Sequence, residues 1–130
     1  MNSKKIFILI IALLIVGTIA TVLLQSNSNN VPAGPGKYDA FATCLKDKGA
    51  TFYGAFWCPH CQATKKLFGS SAHLLPYIEC STPNASAQTQ ICIDKKIVSY
   101  PTWIFSDGKK LVGLQSFDSL ASASGCIYNK

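Results

Sequence analysis

The sequence contains no arginine: all twelve of its basic residues are lysine, set against six acids for a net charge of +6. Nucleic-acid recognition favours arginine forks and basic residues clustered on one face, and neither is seen, so a nucleic-acid partner is not expected. Lys4 and Lys5 carry two of the positive charges, and the remaining +4 reads as a solubility feature with mild attraction to anionic surfaces. No internal repeat is apparent, and 130 residues leave room for one modest domain and an appendage.

Charge of either sign is missing from 6–24, a run of 19 residues that would span about 28 Å as a helix, enough to cross a bilayer core. A cleaved signal peptide has an apolar stretch of about 7 to 15 residues followed by a small-x-small site. This run is longer and ends in Thr-Val-Leu-Leu-Gln, so an uncleaved anchor is expected. Lys4 and Lys5 precede it and no charge occurs over 25–36, which by the positive-inside rule puts the N-terminus in the cytoplasm and the rest outside it. The expected organisation is a membrane anchor over 1–25 with its transmembrane helix at 6–24, a flexible Gly/Pro-bearing linker over 26–36, and a folded domain over 37–130. All six cysteines lie beyond the apolar run, in keeping with an oxidising exterior.

The chemistry concentrates in FYGAFWCPHC, residues 52–61. An apolar run reads as a buried strand that stops at Cys58, and Pro59 suits the first position of a helix, where its missing N–H costs nothing. Cys58 then sits at a helix N-terminus, where free backbone donors and the helix dipole favour a thiolate and where His60 adds positive charge. Cys61 follows one turn later, close enough to close a disulfide with Cys58 or to resolve a mixed disulfide. Taken alone, a C-x-x-C is equally half of a zinc site; the strand before it and the helix after it favour thiol chemistry.

Elsewhere the pattern predicts a helix over 38–48 stopped at Gly49, a short strand over 77–80 parallel to the first, a loop over 81–87 and a helix over 88–96. Strands over 102–105 and 110–114 flank an Asp-Gly turn, and a helix over 117–124 is stopped by Gly125. Asn84-Ala85-Ser86 fits a glycosylation sequon, a pattern short enough to arise by chance.

Read in order, GAFWCPHC, KKLFG, LPYIEC and YPTW resemble the thioredoxin superfamily, most nearly the thioredoxin-like domain associated with bacterial vitamin K epoxide reductase homologues; the resemblance runs over 38–125. It implies an α/β thioredoxin-like fold, with a mixed four-stranded sheet flanked by helices, here preceded by the transmembrane helix. It also implies a thiol:disulfide oxidoreductase with catalytic Cys58 and Cys61, tuned by Pro59 and His60. Trp57, Tyr100 and a cis-Pro101 would bind substrate. No cofactor or metal is implied. The partners implied are thiol-containing secreted proteins and a vitamin K epoxide reductase-like membrane oxidoreductase, and a monomer is expected. Pro-His between the cysteines resembles the disulfide oxidants rather than the reducing thioredoxins, so the expected role is an oxidant outside the cytoplasmic membrane. A reductase or isomerase, a metal-binding module and a non-catalytic interaction module are the alternatives.

The matching family also carries cysteines at Cys80 and Cys92, which implies a structural disulfide; a second exchange pair relaying electrons to Cys58 is the other reading. Cys44 and Cys126, left by elimination and without a family template, are the second candidate structural disulfide, stapling the first helix to the C-terminus. If those helices lie on opposite faces of the sheet, the bridge must pass around an edge or the thiols stay free, and four non-catalytic cysteines allow three pairings. Thioredoxins proper bury an aspartate six residues before the first cysteine, and this chain has Phe52 there. Glu79 is then a candidate to assist Cys61, provided it points inward.

Overall fold

The computed structural model describes residues 2–25 and 35–129, the side chains of 16–25 excepted. The chain divides into two compact units, 1–33 and 34–130. The first contains helix α1, Ser3–Gln25. Among the described residues no helix is long and apolar enough to cross a membrane, so the transmembrane helix expected at 6–24 is not met there. Of the expected linker over 26–36, all but 35 and 36 lies outside the described residues.

The second unit runs α2 (Asp39–Asp47), β1 (Thr51–Gly54), α3 (Pro59–Phe68), a 3-10 helix (Gly69–Leu74), β2 (Tyr77–Glu79), α4 (Gln90–Asp94), β3 (Thr102–Ile104), β4 (Lys110–Val112) and α5 (Phe117–Ser124). The strands form one sheet in the order β2-β1-β3-β4. β1 and β2 are parallel, as a β-α-β crossover through α3 requires, and the other two pairings are antiparallel. This mixed sheet with flanking helices is a thioredoxin-like α/β fold.

Alternation along the strands sorts side chains to two faces. Phe52, Tyr77 and Trp103 join a core with Phe41 and Leu45 of α2, Phe68 of α3 and Leu120 of α5, while Tyr53, Ile78 and Ile104 face a smaller cluster with Cys80, Cys92 and Ile97. Three helices thus share one face. Phe41 stacks on Phe68 at 5.8 Å and meets Phe117 edge-on at 5.4 Å, which packs α2 against both α3 and α5. Because α2 and α5 share a face, the bridge between Cys44 and Cys126 forms without passing around a sheet edge. Cys80 is bonded to Cys92 on the opposite face.

Local chemistry sets the ends of the elements. Ser116 caps α5 by accepting from the Ser119 N–H at 3.1 Å, and Gly125 ends the helix at φ +73°, a left-handed conformation that glycine adopts without strain. In the β3–β4 hairpin the Asp107 carboxylate accepts from the Lys109 N–H at 2.9 Å, and Gly108 takes φ +81°.

Candidate active site

β1 ends at Gly54, short of the expected 52–57 run, because the chain turns there: the Cys58 N–H donates to the Ala55 carbonyl at 3.0 Å. Cys58 therefore occupies the cap of α3 with an extended backbone, and Pro59 is the first helical residue. The cap has no side-chain acceptor, which leaves the Cys58 sulfur at the helix N-terminus where backbone donors and dipole favour negative charge. Cys61 follows one turn on, and both thiols are free.

Neither sulfur is openly accessible. Cys58 is only 5% exposed, and Cys61 is 1% exposed. The Cys58 thiol donates to the Tyr100 carbonyl at 3.6 Å. The Tyr100–Pro101 peptide bond is cis and Pro101 is buried. Trp57 is half-exposed beside this turn, edge-on to Tyr100 at 5.9 Å, with its indole N–H donating to Ser81 Oγ at 2.9 Å. The Tyr100 hydroxyl accepts from the Gln88 side-chain amide at 2.6 Å. A pocket of about 180 Å³ opens between Trp57, Tyr100 and the loop from Ser81 to Gln88. A larger groove of about 510 Å³, bordered by Tyr38, Leu67, Leu114 and Phe117, contains none of the sequence-predicted site residues.

His60 is exposed on the first turn of α3, where its carbonyl accepts from the Thr64 hydroxyl at 2.9 Å. The residues named from sequence fall into two groups. Trp57, Cys58, Tyr100 and Pro101 meet at one end of the sheet with Pro59, His60 and Cys61 on the adjoining helix turn. Cys80 and Cys92 are bonded to each other and fully buried in the smaller cluster on the other face of the sheet. Cys126 is also buried and is bonded to Cys44.

Burial pushes the Cys61 thiol up to about 12, reinforced by the neighbouring Cys58 sulfur and opposed by a backbone contact at Ala55 and by the positive charge of Lys65. With Phe52 apolar, no carboxylate comes from β1, and the acid that reaches the segment before Cys58 is Glu79. One of its oxygens accepts from the Phe56 N–H at 3.2 Å and the Ser81 N–H at 2.9 Å, and the other accepts from the Tyr77 hydroxyl at 2.7 Å. Glu79 thus joins β2 to the segment leading into Cys58. Burial, and then donation to Glu79, push the Tyr77 hydroxyl well above its ordinary value. Behind Cys61, a Cβ on Gly54 would meet the Cys61 sulfur at 2.8 Å and the Tyr77 ring at 2.9 Å, so β1 approaches the pair with bare backbone.

Sequence reasoning missed Lys65, Tyr77, Ser81 and Gln88. Lys65 had a legible signal, since it stands four residues after Cys61 and so shares its helix face; the other three depend on contacts across the fold.

Chemically, two thiols one helical turn apart can exchange with an external disulfide or close on each other, moving two electrons. Among the described residues no group of three His, Cys, Asp or Glu side chains is placed to hold a metal ion. No protein-family model matches the chain. Over 90 residues, 66% of its length, the chain is 41% identical to the thiol-disulfide oxidoreductase LTO1 of Arabidopsis thaliana. The matched part spans only 24% of that protein.

Proposed function

We propose that this chain is a thiol:disulfide oxidoreductase anchored by its N-terminal helix outside the cytoplasmic membrane, where it donates the Cys58–Cys61 disulfide to secreted proteins. The observation that carries this reading is the meeting of Cys58, at the N-terminus of α3, with the Tyr100 carbonyl at 3.6 Å and with Cys61 one turn behind. A substrate thiolate attacks the Cys58 sulfur, a mixed disulfide forms, and Cys61 leaves with the electron pair; the substrate's second thiolate then displaces Cys58. An extended substrate segment lies beside Tyr100, with Trp57 as the apolar wall.

The relative's name supports the reaction class. The anchor is supported by the uncharged run over 6–24 and by the helical backbone of Ser3–Gln25. Pro-His between the cysteines supports the oxidant direction, because a histidine that favours the Cys58 thiolate stabilises the reduced form and makes the disulfide more oxidising. The resemblance of CPHC and YPTW supports a vitamin K epoxide reductase-like membrane protein as the partner that restores the disulfide.

The test is the reduction potential of the Cys58–Cys61 pair, measured on the full chain in detergent by equilibration against glutathione. An oxidant is expected to fall between about −120 and −180 mV. A value near about −270 mV would place the protein with reducing thioredoxins and overturn the proposed direction.

A further inference from the structure

Cys61 is the sulfur that leaves when a thiolate attacks Cys58, and leaving is slow from a site that disfavours negative charge. Its setting is of that kind: the residue is 1% exposed, packed against the bare backbone of Gly54 and the ring of Tyr77. Some feature must therefore offset the charge that appears on this sulfur in the transition state. The ionisable groups around it are few. Cys58 and Lys65 come from the α3 segment, and Tyr77 comes from β2 with Glu79 behind its hydroxyl. Of these, Lys65 alone is cationic.

We propose that Lys65, held against the face of Tyr77, is the positive group that stabilises the negative charge developing on the Cys61 sulfur during thiol exchange. This rests on the oxidoreductase reading and adds a residue to it. Lys65 stands one turn beyond Cys61 on α3, so both side chains issue from the same helix face. Its ammonium sits 3.5 Å from the centroid of the Tyr77 ring, a cation–π contact that fixes a flexible side chain. That ring borders the Cys61 sulfur, since both atoms crowd the position of a Cβ on Gly54. Tyr77 is itself oriented by its 2.7 Å hydrogen bond to Glu79, whose other oxygen accepts from the Phe56 and Ser81 N–H groups. Tyr77 and Glu79 are accordingly positioning residues, acting through Lys65. The electrostatic effect of Lys65 on the Cys61 thiol has the required sign, lowering what burial raises.

In the step concerned, an incoming thiolate forms a bond to the Cys58 sulfur and the Cys58–Cys61 bond breaks. The electron pair moves to Cys61, which then takes a proton from solvent. At neutral pH the reduced protein holds Cys61 protonated, so the charge exists only transiently. Lys65 therefore changes the rate of exchange and leaves its equilibrium nearly unchanged.

The test follows the reduction of the full-length disulfide form in detergent by dithiothreitol at pH 7, for the native chain, Lys65→Gln and Lys65→Arg, with reduction potentials and urea midpoints alongside. Lys65→Gln is expected to react about fivefold more slowly with its potential unchanged, and Lys65→Arg to recover most of the rate. A Lys65→Gln rate equal to the native one overturns the inference and leaves the oxidoreductase reading standing. Equal slowing in both variants, tracking a lowered urea midpoint, also overturns it by showing a merely structural role. A native disulfide that resists dithiothreitol overturns the oxidoreductase reading and this inference together.

Discussion

On one face of the sheet Phe52 stacks on Trp103 at 4.7 Å beneath Phe41, Phe68 and Leu120; on the other, Tyr53 and Ile97 share their cluster with the Cys80–Cys92 bridge. The first face has three helices, a run of aromatic contacts and the Cys44–Cys126 bridge, so extensive hydrophobic burial and a covalent link act together there. The second has one helix of five residues, too short to hold itself by propensity or to bury much area. There the covalent link has little packing beside it. The contrast separates the cysteines by what surrounds them, since burial does not: Cys61, Cys80 and Cys92 are all hidden from solvent. Cys58 and Cys61 differ from the rest in being unpaired, at the start of α3 beside the Tyr100 carbonyl and the charge of Lys65.

The contrast breaks most readily at the aromatic face. Phe52→Ala removes a side chain that is fully buried, stacked on Trp103 and edge-on to Tyr77 at 5.1 Å. It is expected to cost about 3 to 5 kcal/mol, read as a drop in the urea midpoint at constant slope. A loss of about 1 kcal/mol would mean that this face does not depend on its packing. The opposite face is expected to lose less. Replacing both Cys80 and Cys92 by alanine opens a link of sequence separation 12, worth about 3 kcal/mol in the chain-entropy account. If the bridge is structural, the same variant is expected to keep dithiol exchange at Cys58. Exchange lost while the protein remains folded would restore the relay reading.

The fold was largely legible because its signals are local. Pro59 after an apolar run marks a strand-to-helix junction, the Asp107-Gly108 pair marks a hairpin, and Gly125 marks a helix end. What escaped was set by distant contacts. Residues 55–57 read as strand by hydropathy, yet the Phe56 N–H goes to Glu79 and the Cys58 N–H back to Ala55, so the strand stops at Gly54. The helix expected over 88–96 shrinks to Gln90–Asp94 because Gln88 bridges back to Ser81 and Lys96 adopts φ +53°, ending the helical run. At the site, the cysteines, Trp57 and Tyr100 announce themselves by type and order, whereas the hold of Tyr77 on Lys65 exists only once β2 lies beside α3.

The effect that is absent at neutral pH is the most specific to the buried thiol. Burial raises Cys61 from an ordinary value of 9.0 to about 12. Between those values the unfolded chain gives up the proton while the folded chain keeps it, so the unfolded state binds fewer protons and stability falls as pH rises. The lysines and tyrosines titrate in the same range, so the effect must be isolated by difference. Cys58→Ser and Cys58→Ser/Cys61→Ser differ only in this thiol and keep both structural disulfides without added reductant. Their urea midpoints are expected to have a constant offset up to about pH 8, after which the variant retaining Cys61 loses ground steadily to about pH 11. An offset that stays flat would mean the thiol titrates alike in folded and unfolded chains. Cys61 would then leave readily without help, and the contrast between a thiol that needs a cation and disulfides that need only burial would disappear.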